Sequence, residues 1–253
     1  MILAIDIGNS SVKFGIFDKE NLVSRFQIPT VRTQDADEIN SLIQDNFKQK
    51  ISAIVISSVV PELRESFQTL GEKFFDVSPI FVDNTFDLGL KIKYFPPENL
   101  GIDRIVAAFA AVAKYGKPCI ICDFGTATTI DAVNAEGEFL GGTIVAGINL
   151  LADALHHRTS KLPLVELKKP ANVIGNSTIS CIQSGVFYGY VGLTEGIIRR
   201  MIGELGEKPK VVATGGFANL IAESAKIIEI VDENLMLEGL RYIFKRRNQP
   251  PVF

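Results

Sequence analysis

The sequence predicts an α/β fold made of two similar domains, and three observations support this prediction. Strand-length apolar runs alternate with stretches of helical periodicity. The first apolar run ends in Asp-Ile-Gly at residues 6–8, and a later run ends in Asp-Phe-Gly at residues 123–125. The two runs lie about 117 residues apart, which exceeds the ~20–50 residues of a solenoid repeat. We therefore expect an N-terminal domain over residues 1–116 and a C-terminal domain over residues 117–253.

The first domain is predicted to open with an antiparallel meander of three strands, because short polar breaks separate its first three apolar runs. Pro61 suits the first turn of a helix, and the double proline at residues 96–97 excludes helix there. Gly116 and Pro118 end the alanine-rich helix before them. The predicted strands are 2–7, 11–17, 22–28, 51–57 and 80–82, the predicted helices are 36–49, 62–73 and 103–115, and residues 91–97 are predicted to be extended.

The second domain is predicted to repeat this meander. Its later strand runs through Gly215-Gly216 into a helix, and its polar, proline-rich tail at residues 246–253 is predicted to be mobile. The predicted strands are 119–123, 128–133, 139–145, 211–214 and 227–231, and the predicted helices are 149–155, 178–205 and 235–245.

Composition indicates a cytoplasmic protein that binds neither nucleic acid nor membrane. The 253 residues are 47% apolar and 22% charged, with a net charge of −3, so a basic binding surface is not expected. The first apolar run is interrupted by Asp6, which argues against a signal peptide. Cys119 and Cys122 have CxxC spacing, but residues three apart in a strand point to opposite faces. Two buried core thiols are therefore favoured over a redox or metal site.

The repeated Asp-x-Gly tips are interpreted as two phosphate-binding loops. Gly8 and Gly125 are expected to allow positive φ, and a tight turn between strands presents several backbone N–H groups to an anion. Two such loops facing each other across a cleft would hold a polyphosphate from both sides. The alternative is an ordinary hairpin turn in each place. The small polar residues expected to add donors are Asn9, Ser10 and Ser11 in the first loop and Thr126, Thr128 and Thr129 in the second.

Charged residues beside these loops suggest cation binding. Asp6 and Asp123 would repel phosphate, so they are interpreted as holders of a cation or of its water shell. Lys13 is a candidate partner for a phosphate. A third glycine site, Thr-Gly-Gly at residues 214–216, could place an adenosine at a helix start, or it could be a tight strand–helix turn.

These features together resemble the acetate and sugar kinase, Hsp70 and actin superfamily, and more narrowly the type III pantothenate kinases. The resemblance covers nearly the whole chain in order, with Ala146 standing where the family pattern has proline. The motifs that carry it are DIGNSSVKFGIFD (6–18), GIDR (101–104), DFGTATTID (123–131), GGTIVAGI (141–148), QSGVFYGYVGLTEGIIRRM (183–201) and TGG (214–216).

The resemblance implies two actin-like, ribonuclease H-like domains with a nucleotide cleft between them. It also implies phosphorylation of pantothenate by ATP to 4′-phosphopantothenate, the first step of coenzyme A synthesis. Mg²⁺, a monovalent cation such as potassium or ammonium, and a homodimer are implied with it. The dimer interface would lie in the second domain.

The resemblance also implies roles for individual residues. Asp103 is the expected catalytic base and Asp123 the ligand of the monovalent cation, while Thr126 contacts ATP. The remaining ATP contacts are expected in the first loop, at Asp6, Ile7, Gly8, Asn9, Ser10, Ser11, Val12 and Lys13. The expected substrate contacts are Tyr94, Gly101, Ile102, Asp103, Arg104 and Thr178.

Each of these roles has a structural alternative when the residue is taken alone. Asp103 could be a helix N-cap and Arg104 a solvated surface arginine. Tyr94 could be a half-buried strand aromatic, and Thr178 a helix N-terminal residue or cap. Two other functions also stay open on this fold: a non-catalytic accessory factor for transcription, and another phosphotransferase or ATPase such as an exopolyphosphatase-like enzyme.

Overall fold

The computed structural model describes residues 1–86 and 88–247. Their contacts define two compact units. Unit 1 holds the described residues of 1–89, 95–110 and 234–253, and unit 2 holds residues 90–94 and 111–233.

The described residues contain strands and helices in alternation. The strands are β1 (Ile2–Ile7), β2 (Ser11–Asp18), β3 (Asn21–Pro29), β4 (Ala53–Ser58), β5 (Ile80–Phe81), β6 (Lys91–Ile92), β7 (Cys119–Phe124), β8 (Ala127–Val133), β9 (Glu138–Ala146), β10 (Lys210–Thr214) and β11 (Ile230–Val231). The helices are α1 (Ala36–Ile43), α2 (Arg64–Phe75), α3 (Ile102–Tyr115), α4 (Ile148–His157), α5 (Thr178–Leu205), α6 (Ala218–Ala222) and α7 (Leu235–Arg247).

The two sheets repeat one topology, which confirms the predicted α/β fold and its duplicated meander. Unit 1 has the strand order β3-β2-β1-β4-β5, and unit 2 has β11-β10-β7-β8-β9-β6. The strands β1 to β3 of unit 1 and β7 to β9 of unit 2 form antiparallel meanders. The strands β4 and β5 run parallel to β1, and β10 and β11 run parallel to β7. Apart from the additional edge strand β6, the strands β7 to β11 of unit 2 therefore correspond one by one to β1 to β5 of unit 1.

The central strands of unit 1 bury side chains on both faces. Leu3, Ile5 and Ile7 of β1 pack in one cluster with Ile39 of α1 and Phe67 of α2. The opposite face is covered by α7, where a methyl group on Gly15 would lie 3.1 Å from a Leu237 methyl carbon. This double coverage explains why β1 and β4 read as nearly continuous apolar runs.

Unit 2 buries its sheet against α5 and α6. Ile120, Cys122 and Phe124 of β7 pack with Tyr190 of α5 and Ile221 of α6. The thiol pKa of Cys119 is raised to about 12 by burial, and that of Cys122 is also raised, with burial as the largest cause. Both thiols therefore stay protonated in the core, as the sequence predicts, and neither suits redox chemistry.

Several predicted boundaries were wrong. The first helix ends at Ile43 instead of residue 49, because the Asn46 side chain donates a 3.1 Å hydrogen bond to the Ile43 carbonyl and a short 3₁₀ turn follows. The last helix continues to Arg247 into the predicted mobile tail, whose residues 248–253 lie outside the described part. β6 was predicted only as extended chain, yet it pairs parallel with β9.

The domain limits 1–116 and 117–253 stay a prediction. The compact units differ from those limits in two places: residues 90–94 and 111–116 belong to unit 2, and the C-terminal helix α7 belongs to unit 1, where it packs on β1, β2 and β4. Within residues 1–86 and 88–247, no helix is both long and apolar enough to cross a bilayer.

Candidate active site

The first glycine loop, residues 8–10 between β1 and β2, is anchored through its carbonyl groups. The Ile7 carbonyl accepts a hydrogen bond from Val59 N at 3.0 Å. Thr30 donates its hydroxyl to the Gly8 carbonyl at 2.7 Å and its N–H to the Ser10 carbonyl at 3.1 Å. The Gly8 N–H closes the turn by donating to the Ser11 carbonyl at 3.1 Å, so an anion at this loop would be held by backbone N–H groups that follow Gly8.

The second loop, residues 125–126 between β7 and β8, is anchored in the same way. The Phe124 carbonyl accepts from Phe217 N at 3.3 Å, and the Thr126 carbonyl accepts from Gly147 N at 3.0 Å. Val59 and Phe217 follow the corresponding strands β4 and β10, and Thr30 and Gly147 follow β3 and β9. The repetition seen in the sequence thus extends to the hydrogen bonds that shape both loops.

The expected positive φ at Gly8 and Gly125 was wrong. The positive-φ glycines of the described chain are Gly89, Gly116, Gly137, Gly141, Gly206 and Gly215. A Cβ on Gly8 would instead lie 3.2 Å from the Ser11 carbonyl oxygen, and a Cβ on Gly125 would lie 3.3 Å from that of Ala127. Glycine serves here to let the chain reverse tightly.

Asp6 and Lys13 form a charged pair at the start of the first loop. They are cross-strand neighbours, Asp6 is 8% exposed, and Lys13 Nζ lies 4.0 Å from Asp6 Oδ2. The ammonium group offsets the negative charge of Asp6, which lowers its repulsion of a phosphate. Ile7 and Val12 are core side chains, so only their backbone can contact a nucleotide.

Arg32 also reaches the first loop, and sequence reasoning missed it. Its Nη2 donates to Asn9 Oδ1 at 3.2 Å, while its Nη1 pairs with Glu62 Oε1 at 2.8 Å. A basic residue two positions after Thr30 gave no signal of its own, because only the fold brings the end of β3 next to the loop.

The Asp123 carboxylate lies beside the third glycine site, Thr-Gly-Gly at residues 214–216. Gly215 has φ +91°, and a Cβ there would sit 2.5 Å from Asp123 Oδ1 and 2.7 Å from the backbone of Phe124. A Cβ on Gly125 would come within 3.8 Å of the same carboxylate oxygen. Gly215 and Gly125 leave a space around this oxygen, here called the cradle, which a side chain at either position would fill. The Thr-Gly-Gly stretch is thus a tight strand–helix turn, and its contact with adenosine stays a prediction.

The threonines of the second loop have different environments. Thr126 is exposed in the loop itself. Thr128 is buried, and the Tyr190 hydroxyl lies 2.5 Å from its Oγ1 and 3.1 Å from the Ala146 carbonyl oxygen. Burial is the main cause of the raised pKa of Tyr190. Thr128 therefore stabilises the core and is unsuited to donating to a phosphate.

Asp103 is the second residue of α3. The Gly101 carbonyl accepts from Ile105 N, so the helix begins before Asp103, and the N-cap alternative for this residue is wrong. Asp103 Oδ1 accepts from Arg104 N at 2.8 Å, and a Cβ on Gly101 would lie 2.5 Å from that oxygen. Gly101 therefore leaves the space into which this carboxylate folds. Ile102 is buried, so it can meet a substrate only through its backbone.

Three further predicted substrate residues have distinct settings. Arg104 is 6% exposed, so the surface-arginine alternative is wrong. Tyr94 is half-buried, and its Cδ2 would lie 3.4 Å from a Cβ on Gly141 of β9. Thr178 is the exposed first residue of α5. The cap is Ser177, which forms a capping box with Ser180, so Thr178 is not the cap but does hold the helix N-terminal position that its structural alternative describes.

The predicted site residues divide between the two units. Unit 1 holds the first loop with Asp6 and Lys13, and it also holds residues 101–104. Unit 2 holds Tyr94, Asp123, Thr126 and Thr178.

Comparison with known proteins identifies the family. Residues 2–200 match the sequence profile of the type III pantothenate kinases. The type III pantothenate kinase of Citrifermentans bemidjiense is 44% identical over 252 residues, covering 97% of this chain and 99% of the relative. That of Halalkalibacterium halodurans is 42% identical over 252 residues, with 97% and 99% covered.

Solved structures show the actin-like fold at lower identity. A Campylobacter jejuni protein described as a Baf family transcriptional activator has a TM-score of 0.60 at 24% identity, covering 97% of this chain and 98% of that one. An ethanolamine utilization protein of Carboxydothermus hydrogenoformans has a TM-score of 0.57 at 14% identity, with 94% and 88% covered. At these identities the likeness shows the fold alone. The family match and the curated relatives show more, and by them this chain belongs to the type III pantothenate kinase family.

Proposed function

We propose that this chain transfers the γ-phosphoryl group of ATP to the primary hydroxyl of pantothenate. The product is 4′-phosphopantothenate, at the first step of coenzyme A synthesis. The observation that carries the proposal is the Asp103 carboxylate, held on the first turn of α3 by the Arg104 N–H in a chain 44% identical to a type III pantothenate kinase. Its low net charge and composition favour a cytoplasmic enzyme without nucleic-acid or membrane partners.

The nucleotide is assigned to the glycine loops. Backbone N–H groups that follow Gly8 in the first loop would hold phosphate oxygens, since the Gly8 N–H donates to the Ser11 carbonyl, and the exposed Thr126 would add a contact from the second loop. Asp6 fits the water shell of Mg²⁺, because it is a largely buried carboxylate beside a buried hydroxyl, that of Ser57. Mg²⁺ held there would supply positive charge to offset the negative charge on the transferring phosphoryl group. Lys13 would keep the Asp6 carboxylate from repelling the polyphosphate.

The acceptor is assigned to residues 101–104 and to Tyr94 and Thr178. Asp103 takes the proton of the pantothenate hydroxyl while the hydroxyl oxygen forms a bond to the γ-phosphorus. The bond between the γ-phosphorus and the bridging oxygen breaks, and its electron pair stays on ADP. Arg104 would orient the pantothenate carboxylate. Because phosphoryl transfer depends on in-line positioning, Gly101 matters as the residue that makes room for the base.

A monovalent cation is assigned to Asp123. Its carboxylate oxygen lies in the cradle formed by Gly125 and Gly215, and oxygen ligands in a tight backbone turn suit such an ion. The ion would add positive charge at the second loop, where no lysine corresponds to Lys13, since Thr129 holds the equivalent strand position opposite Asp123.

The direct test is a coupled assay of ADP release with pantothenate, ATP and Mg²⁺ across potassium concentrations. We expect a phosphorylated pantothenate product, verified by mass spectrometry, and a rate that rises with potassium at constant ionic strength. Sodium serves as the matched control. Absence of product would overturn the kinase assignment, and an equal rate in sodium alone would overturn a selective ion site at Asp123.

The homodimer is proposed on the surface of unit 2. Gly185, Gly189 and Gly192 of α5 share one helix face, and a Cβ on any of them would meet no heavy atom within 4 Å among the described residues. The segment before α5 exposes Ile174 by 89% and Val173 by 64%. A glycine face allows close approach of a second helix, and nearby apolar side chains supply area to bury.

We expect Gly189→Leu to convert the dimer into a monomer without unfolding it. The Cβ of the new side chain meets no described heavy atom of the same chain within 4 Å, and leucine raises helix propensity by about 1 kcal/mol over glycine. Sedimentation velocity would measure the mass, and circular dichroism the melting temperature. Glu65→Leu, on the exposed face of α2, is the control and should remain dimeric. A dimeric Gly189→Leu variant would rule out this face as the interface.

A further inference from the structure

Ser57 of β4 presents a buried hydroxyl that the fold leaves unsatisfied. Its side chain is 0% exposed, and its Oγ has no hydrogen-bond partner among the residues that the structure describes. A buried polar group without a partner costs about 1–3 kcal/mol. The neighbouring Ser58 differs, because its Oγ accepts from Val60 N at 3.1 Å. A buried hydroxyl without a partner on a central strand therefore indicates a binding position for a ligand or a water.

The strand register places Ser57 next to Asp6. β1 and β4 pair in parallel with Asp6 opposite Ser57, so the two side chains emerge on the same face of neighbouring strands. Ile5, Ile7, Ile54 and Ile56 belong to the opposite face, where they pack in the cluster with α1 and α2. Lys13 stands opposite Asp6 on its other side. The order across the sheet is thus ammonium, carboxylate and hydroxyl, at the base of the first glycine loop.

We propose that Ser57 is a positioning residue for the hydrated Mg²⁺ that accompanies ATP, acting through a water molecule shared with Asp6. The inference rests on the proposed function. Mg²⁺ keeps several of its waters in proteins and needs groups that orient them. A carboxylate can only accept and an ammonium can only donate, whereas a serine hydroxyl can do both. Ser57 is therefore the group of the three that can accept from a water and donate to another oxygen.

Ser57→Ala tests this role with a matched control. Thr194 of α5 carries another buried side-chain hydroxyl of this kind, also on a residue that is 0% exposed and also without a partner in the described chain. Thr194 lies in unit 2 and takes no part in either glycine loop. Since both substitutions, Ser57→Ala and Thr194→Val, remove an unsatisfied hydroxyl, both are expected to leave the melting temperature of the ligand-free protein unchanged or raised.

The two variants should separate when Mg²⁺ is added. With ADP held constant, the melting temperature is measured across Mg²⁺ concentrations, and Mn²⁺ binding is measured by electron paramagnetic resonance. We expect Ser57→Ala to weaken metal binding in the nucleotide complex about 10-fold or more, as loss of an outer-shell partner does. Thr194→Val should match the wild type. Should Ser57→Ala destabilise the protein, Ser57→Cys, which fills the Oγ position with a weaker donor and acceptor, would replace it in the same comparison.

The outcomes also separate this inference from the proposed function. Wild-type metal binding in Ser57→Ala would overturn the role of Ser57 while leaving the kinase assignment intact. A wild-type protein that shows no Mg²⁺-dependent stabilisation with ADP and makes no phosphopantothenate would overturn the proposed function itself.

Discussion

Replacing Asp103 by asparagine is expected to lower kcat for pantothenate phosphorylation by about 10²–10⁴-fold, because the variant loses the group that accepts the hydroxyl proton. The fold should survive. Asparagine keeps the Oδ1 acceptor that takes the 2.8 Å hydrogen bond from Arg104 N, and it fits the space beside Gly101 equally well. The loss of negative charge in the first turn of α3 costs only about 0.3–1 kcal/mol. Steady-state kinetics with thermal denaturation measures both quantities.

Asp37→Asn is the matched control for this experiment. Asp37 is likewise the second residue of its helix, α1, and it is exposed and paired with Lys73 at 2.7 Å. Its substitution removes the same charge from the same helical position, so its stability should fall by a similar small amount with kcat unchanged. If Asp103→Asn kept wild-type turnover, the proton would have to leave by another route and Asp103 would not be the base.

The strands around the glycine loops could be predicted from the sequence because local signals determine them. Apolar runs with polar breaks predicted β1 to β3 within one residue at each end, and the second Asp-x-Gly predicted that β7 to β9 would repeat them. Each hairpin joins strands adjacent in sequence, so its register follows from the chain itself.

Long-range packing is what the sequence could not predict. The pattern of α7 indicates a helix but not the sheet that it covers, and it packs on unit 1 although it follows unit 2 in the chain. Residues 166–173 contain no helix or strand, yet their carbonyls are held by side chains of α5: Gln183 Nε2 donates to Glu166, and the Ser184 hydroxyl donates to Val173. Such bonds leave no periodic signal.

The site residues also differ in whether a local motif or a long-range contact reveals them. Asp6, Asp103 and Asp123 were predicted because each stands in a recognisable motif. Ser57 gave no signal, since a serine near the end of a buried strand looks like a strand terminus. Its significance depends on parallel pairing with β1, which joins residues 51 positions apart in the chain. The supporting groups of a site are thus less visible in a sequence than the groups that carry charge.

Gly215→Ala is expected to destabilise the turn beside the second loop strongly, although it adds a single methyl group. The residue has φ +91°, where an L-residue is strained, and its Cβ would lie 2.5 Å from Asp123 Oδ1 and 2.7 Å from the Phe124 backbone. Left-handed strain and overpacking together cost roughly 2–5 kcal/mol. The hydrogen bond from Phe217 N to the Phe124 carbonyl, which shapes the loop, should weaken as the turn is pushed away. We therefore expect a lower melting temperature together with a weaker potassium dependence of the rate.

Gly216→Ala supplies the comparison, because it adds the same methyl group one residue along the same turn. A Cβ at Gly216 would meet no heavy atom within 4 Å in the described chain, and Gly216 is not among its positive-φ glycines. Its stability should stay within about 0.5 kcal/mol of the wild type, with potassium dependence unchanged. Calorimetry and potassium titration of both variants then separate a specific effect on the Asp123 cradle from a general effect on the turn. Equal behaviour of the two variants would show that Asp123 is positioned by something other than the close approach of Gly215.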